Sequence, residues 1–372
     1  MSRFTVAHSG RSEPLAAADE CALQLGARAG NANLGFVYAS DQFAPHLGEV
    51  VRRLQSRTGI AHWVGSVGVG ISASGTEYHE QPALTVMGGA FPEGSFRVFE
   101  GVGNGIDEFL EAHGEWIRAS GCRFGVVHAD PRNPQVPELI ARLAAALNDG
   151  FLVGGLTSSR GDYAQVADGI TSGGISGVLF APQVSVATRL TQSCLPFGDL
   201  HEVTECDRNI AVTLDNRPAL DVFGEEIGEI LSRDLEQAAR YIGAALPVAG
   251  SDRGDYLVRN LVGFDRRKRL LAVGDILTPG QMIRFCRRDP AGARADLDRM
   301  LLELKASAGG APLGGVYFSC LGRGPHMFGP DSEELRALQS VFSDLPMVGF
   351  FCNGEISHDR LYGYTGVLTL FV

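Results

Sequence analysis

The chain has 372 residues, 45% hydrophobic and 20% charged, ordinary values for a globular protein long enough to form two domains. A formal net charge of −11 disfavours non-specific binding to nucleic acid or anionic lipid, and no apolar stretch approaches the roughly 18 residues that cross a bilayer. Seven scattered cysteines without a Cys-x-x-Cys, and nine histidines without a His-Glu-x-x-His, argue against a disulfide scaffold or a structural metal.

The N-terminus, Met1 to His8, lacks a secretory hydrophobic segment, which points to the cytoplasm. Ser12 can cap an alanine- and leucine-rich helix running to about Arg28. Strands are expected at 34–39, 60–64, 83–87, 96–99 and 124–128, with helices at about 46–57, 106–119 and 135–148. After Gly150 the texture turns to strands and turns, at 151–153, 164–167, 174–181, 185–191 and 210–214. A helix over about 218–241 opens a second α/β stretch. It holds a hairpin at 256–276, a strand at 281–285, helices at 291–306 and 331–341, and strands at 313–319, 347–351 and 361–371. The only basic run, Arg266 to Arg269, reads as the solvated turn of that hairpin. The expected fold is therefore mixed α/β, in two tandem lobes over 1–215 and 216–372. Each lobe buries a mixed sheet under helices, and stacked sheets are compatible with the strand-rich middle.

Two glycine-punctuated loops carry the chemistry. The apolar run Leu313 to Phe318 leads into Ser319-Cys320-Leu321-Gly322-Arg323-Gly324, and Pro346 to Phe351 leads into Cys352-Asn353-Gly354-Glu355. Short apolar runs bounded by turns read as strands buried on both faces, and ligands of such sheets collect at strand ends. If the strands are neighbours, a guanidinium and a carboxylate share one rim. Arginine offers a fork for a carboxylate and glutamate an acceptor for an ammonium, as an amino acid requires. A structural ion pair between Arg323 and Glu355, or separate turn caps, would use the same residues without a ligand.

Other glycine-rich segments are weaker. Gly101-Val102-Gly103-Asn104-Gly105 has Ile106 where a dinucleotide fingerprint needs glycine, and no Gly-Lys-Ser/Thr exists for a P-loop. Gly65 to Gly70 could form an anion nest or simply pack closely. One motif recurs: Trp63-Val64-Gly65-Ser66, Leu152-Val153-Gly154-Gly155 and Met347-Val348-Gly349-Phe350 each break a strand at glycine. Chance recurrence of Val-Gly pairs, or two related lobes facing each other across a cleft, accounts for it.

Several of these segments resemble FIST domain proteins. The C-terminal half of that family is matched by Arg253 to Gly263, Val273-Gly274-Asp275, Phe285 to Asp289, Phe318 to Gly324 and, most specifically, Gly349 to Ile356. The N-terminal half is matched by Val64-Gly65-Ser66, Val153-Gly154-Gly155 and Thr213 to Leu220. The resemblance covers roughly residues 30 to 372. It implies a sensory module that binds a small ligand, an amino acid or related metabolite, and signals to a partner protein, here as a stand-alone pair of domains. Ser193 before Cys194, and Ser357-His358-Asp359 after Glu355, depart from the family's glycines.

The candidate ligand residues are Arg323, Glu355, Cys320, Gly322, Asn353, Gly354, Gly349, Ser66, Asn260 and Arg284. No catalytic residue, cofactor or metal is expected, and homo-oligomerisation is left open. A thiol-dependent hydrolase or transferase using Cys320 or Cys352, with His326 and His358 the nearest bases in sequence, is one alternative. A protein-recruiting adaptor, which would show a large exposed apolar patch, is another.

Overall fold

The computed structural model describes residues 4–26, 30–248 and 254–372; the expected helix end at Arg28 and the motif residue Arg253 lie outside them. Helix makes up 29% and strand 40%, a mixed α/β protein of two compact units. The first unit is residues 1–191 together with 296–372, and the second is residues 192–295. These units do not follow the linear cut at 215, because strands from 314 onward build sheets shared with strands from the N-terminal part.

The first unit contains the same arrangement three times. The first repeat is β1 (Phe4–Ser9), α1 (Pro14–Leu25), β2 (Leu34–Ser40), α2 (Leu47–Thr58), β3 (His62–Gly68), the hairpin β4 (Gly70–Ala73) and β5 (Thr76–His79), and β6 (Leu84–Gly89). The second is β7 (Phe96–Val102), α3 (Asp107–Ser120), β8 (Phe124–Ala129), α4 (Val136–Ala146), β9 (Phe151–Leu156), the hairpin β10 (Gln165–Ala167) and β11 (Gly169–Thr171), and β12 (Ile175–Phe180). The third starts with β13 (Val186–Gln192), after which the chain enters the second unit.

That second unit comprises β14 (Cys194–Asp207), β15 (Ile210–Leu214), β16 (Arg217–Pro218), α5 (Ala219–Ser232), α6 (Leu235–Ala238), β17 (Ile242–Pro247), β18 (Tyr256–Asp265), β19 (Leu270–Val273) and β20 (Met282–Arg288). The strand order is β14-β20-β17-β18-β19-β15-β16, and a further β14–β15 pairing closes six strands into an antiparallel barrel. Phe223, Phe285, Ile283, Leu271 and Val203 fill it. The single helix expected over 218–241 is instead two, separated at Arg233 and Asp234, where Asp234 caps α6 by accepting from the Gln237 amide; Gly228, at φ 77°, kinks α5 as well. Arg266 to Arg269 form the turn between β18 and β19, as their composition predicts.

The third repeat resumes with α7 (Pro290–Ser307), β21 (Gly314–Cys320), the short α8 (Pro325–Phe328), α9 (Glu333–Val341), β22 (Met347–Cys352), the hairpin β23 (Glu355–His358) and β24 (Arg360–Tyr362), and β25 (Thr365–Phe371). Three six-stranded sheets result, ordered β1-β6-β2-β3-β10-β11, β7-β12-β8-β9-β23-β24 and β13-β25-β21-β22-β4-β5. Each centres on one parallel pair, β2/β3, β8/β9 or β21/β22, joined by a helix. Each hairpin leaves its own repeat and completes the sheet of another.

The sequence explains this layering. The parallel-pair strands are almost continuously buried, so both faces must be covered. One face of each sheet carries its own helices: α1 and α2 pack around Trp63 and Val37, α3 and α4 around Val127 and Leu152, and α7 and α9 around Tyr317 and Leu368. The opposite faces of all three sheets meet in one core containing Phe36, Val126, Val316, Phe318, Phe350 and Phe371. Tyr38, His128 and Phe318 occupy the same place in the three repeats, and their rings meet pairwise at 5.5, 6.2 and 6.2 Å. Tyr38 also shares a 3.1 Å hydrogen bond with His128, whose imidazole burial holds down at a pKa of about 3.

The recurring Val-Gly motif marks these repeats. Gly65, Gly154 and Gly349 stand opposite Val37, Val127 and Tyr317 in the parallel pairs. A methyl group on them would lie 1.7, 1.8 and 1.7 Å from the carbonyl oxygens of those partners. Only glycine permits that approach. The reading of the motif as two lobes facing across a cleft is thereby replaced by three repeats around one core. Ser12 is likewise corrected as the cap of α1: Glu13 caps it, accepting from the Leu15 and Ala16 amides. Among the described residues no helix is long and apolar enough to cross a membrane.

Candidate functional site

The two loops singled out in the sequence do lie side by side. β21 and β22 are parallel neighbours, with Cys320 opposite Cys352, so the segments after them emerge at one sheet end. The Leu321 amide donates to the Cys352 carbonyl at 2.9 Å, which ties the loops together. Arg323 turns inward from its loop and is 1% exposed. Its Nε and Nη2 each reach Glu334 Oε1 at 2.8 Å, and its guanidinium lies 4.7 Å over the Phe328 ring. Tyr317 and Ser319 hydroxyls donate to the same carboxylate oxygen at 2.6 and 3.0 Å. Burial weakens the charge of Arg323, and the Glu334 carboxylate more than restores it. The ion pair of Arg323 is thus with a helix residue, Glu334, which sequence reading missed. The available signal was an acid in phase with Ala337, Leu338 and Val341, on the inward stripe of α9.

Glu355 opens β23 and is fully buried. Its Oε2 accepts from the Thr365 amide at 3.0 Å and the Thr365 hydroxyl at 2.8 Å. Its Oε1 has no hydrogen-bond partner among the described residues. Burial pushes the carboxyl up to about 8, against the Thr365 hydrogen bonds, the Arg323 charge and a hydrogen bond from the Cys320 thiol. Cys320 is partly exposed and Cys352 buried. Burial drives both thiols well up, and the neighbouring Glu355 carboxylate adds to the effect.

The remaining candidates divide by location. Gly322 packs against the Tyr364 ring and donates its amide to Cys320 Sγ at 3.4 Å. Asn353 is exposed at the loop tip. Gly354 adopts φ 140°, with Leu361 and Leu156 where a side chain would go. Gly349 lies inside β22, where close approach of the Tyr317 carbonyl occupies it. Ser66 is buried, shares a 2.8 Å hydrogen bond with Thr157 and donates to the Val67 carbonyl. Asn260 and Arg284 belong to the second unit. Asn260 is exposed on β18, and Arg284 donates to the Gly198 carbonyl at 2.9 Å. The stretch Gly65 to Gly70 is strand rather than nest, and the Val69 amide is taken by Ser158 Oγ at 3.0 Å. Gly101 to Gly105 borders a cavity of about 540 Å3 whose walls include Glu100, Asp107 and Glu108, the wrong sign for a phosphate. Among the described residues, no three His, Cys, Asp or Glu side chains are grouped to hold a metal.

These features define a two-unit α/β protein with a buried, half-satisfied carboxyl at the carboxyl ends of parallel strands. The chain belongs to the FIST family: residues 33–217 match the FIST N domain and residues 219–358 the FIST C domain. The family's linear boundary, near 218, falls inside the second compact unit. An uncharacterized protein of Mycobacterium tuberculosis is 29% identical over 347 residues, 87% of each chain. An uncharacterized protein of Mycobacterium bovis is 31% identical over 234 residues, 59% of this chain and 60% of the relative. FIST domains are associated with sensory small-ligand binding in signalling.

Proposed function

We propose that this protein is a cytoplasmic sensor that binds a small amine-bearing metabolite, an amino acid or close relative, and passes its occupancy to a partner protein. The ligand site is the end of β21 and β22, formed by Cys320, Gly322, Asn353, Gly354 and Glu355. The observation that carries this reading is the unpartnered Oε1 of Glu355. A buried acceptor left without a donor costs about 1–3 kcal/mol, a cost that a ligand ammonium would remove. The ammonium would also ionise the carboxyl, releasing a proton as it binds. Arg323, held on Glu334, supplies positive potential behind the loop, where a ligand carboxylate is attracted.

Nucleophilic catalysis by Cys320 or Cys352 is less well supported, because both thiols are held protonated beside a carboxylate. The test is a thermal-shift screen of amino acids and small amines against the wild type, Glu355→Gln and Arg323→Ala. The expected hit stabilises the wild type, fails with Glu355→Gln and is weakened by Arg323→Ala. A compound whose shift survives both substitutions places the site elsewhere.

A further inference from the structure

We propose that Cys320 and Cys352 are an oxidative modification site, closing to an intramolecular disulfide across the ends of β21 and β22. Among the described residues these are the only two of the seven cysteines that share a register position on neighbouring strands. Val316 and Phe318 on β21, and Val348, Phe350 and Cys352 on β22, all face the central core. Side chains alternate along a strand, so Cys320, two residues after Phe318, points to the same face as Cys352. Neighbouring strands lie about 4.8 Å apart, inside the roughly 4.4–6.8 Å between Cα atoms that a disulfide spans. The Cys352 thiol is close enough to feel both Cys320 and Glu355 electrostatically. Gly155 removes the remaining obstacle: a methyl there would lie 2.1 Å from Cys352 Sγ, so the thiol occupies the space its missing side chain leaves.

The two residues differ in exposure, which orders the steps. Cys320 is partly exposed and Cys352 is buried. Hydrogen peroxide therefore meets Cys320 first: an S–O bond forms, the O–O bond breaks, and one water leaves with the thiol proton. The Cys352 thiol then gives up its proton and the resulting thiolate attacks the sulfenyl sulfur; the S–S bond forms, the S–O bond breaks, and the hydroxide released leaves with that proton as a second water. The sulfurs lose two electrons and one peroxide becomes two waters. Because burial keeps both thiols protonated, the pair responds to sustained oxidant rather than to a brief pulse.

The test uses the reduced full-length protein, hydrogen peroxide, and no ligand, so that its outcome is independent of the sensor reading. The expected result is loss of two of the seven free thiols, a mass decrease of two hydrogens, and a linked pair of peptides containing Cys320 and Cys352. Dithiothreitol should restore both thiols. Cys320→Ser should keep all six remaining thiols under the same dose, whereas Cys352→Ser should lose only the Cys320 thiol, as a sulfenic acid that dimedone traps, and yield no linked peptides. Should either variant fail to fold, the wild-type peptide map still decides. A link between other cysteines, Cys320 advancing to sulfinic acid without a link, or no thiol loss would each overturn the proposal.

Discussion

Glu355 makes this fold sensitive to pH in a direction opposite to most carboxylates. Its carboxyl is pushed from an ordinary value of 4.5 up to about 8, chiefly by burial. The folded protein therefore holds a proton between those values that the unfolded chain has lost. Stability from this group is fully present below 4.5, falls as pH rises, and levels off above about 8. At about 1.4 kcal/mol per unit, the total loss is roughly 5 kcal/mol. Glu355→Gln removes the titration but leaves a buried amide in the same half-satisfied place. Urea unfolding should find the variant no more stable than wild type at pH 4.5 and clearly more stable at pH 9. Parallel pH profiles for the two proteins would mean that Glu355 is not held neutral. Legibility at this scale was partial. Arg323 and Glu355 were visible as charges beside glycines after apolar runs, and the structure does set their loops together. The partner of Arg323 was not, because Glu334 looks like part of the solvated run Asp331-Ser332-Glu333-Glu334 until the helix places it inward.

At the level of elements, three glycines carry the parallel pairs. The thrice-recurring Val-Gly was readable in the sequence, yet its meaning was not. The repeats diverge at many equivalent positions, so that Tyr38, His128 and Phe318 stand for one another, and the second unit interrupts the third repeat. A period broken by about a hundred inserted residues leaves no regular spacing to detect. Most strands and helices were legible from periodicity; which sheet each strand joins was not, since the hairpins cross between repeats. The shared glycine geometry makes a sharp prediction. Gly65→Ala, Gly154→Ala and Gly349→Ala should each destabilise by roughly 3 kcal/mol or more, because the clash is with backbone that cannot turn aside. Gly161→Ala, with open space around it, is the control and should lie within about 0.5 kcal/mol of wild type. Thermal or urea midpoints decide it. One tolerant member of the three would show that its strand pair is wider than its equivalents.

For the first unit as a whole, the exchange of hairpins sets how it comes apart. β4 and β5 from the first repeat extend the sheet of the third, β10 and β11 from the second extend that of the first, and β23 and β24 from the third extend that of the second. No repeat can finish its own sheet, and each sheet buries one face in the common core. Opening one repeat strips an edge from a second sheet and exposes the inner face of all three. The physical cost is shared, so partial opening of a single repeat gains little chain entropy for the apolar surface it exposes. The amides of β2, β8 and β21 should therefore exchange through one common opening. Native-state hydrogen exchange across a urea series, read by mass spectrometry, should bring peptides from the three strands onto a single free energy and a single dependence on urea. Folding should also be slow, because β4 waits for β22, nearly three hundred residues later in the chain. Exchange of β8 at a distinctly lower free energy than β2 and β21 would show that the second repeat opens alone, and that the hairpins do not lock the sheets into one cooperative body.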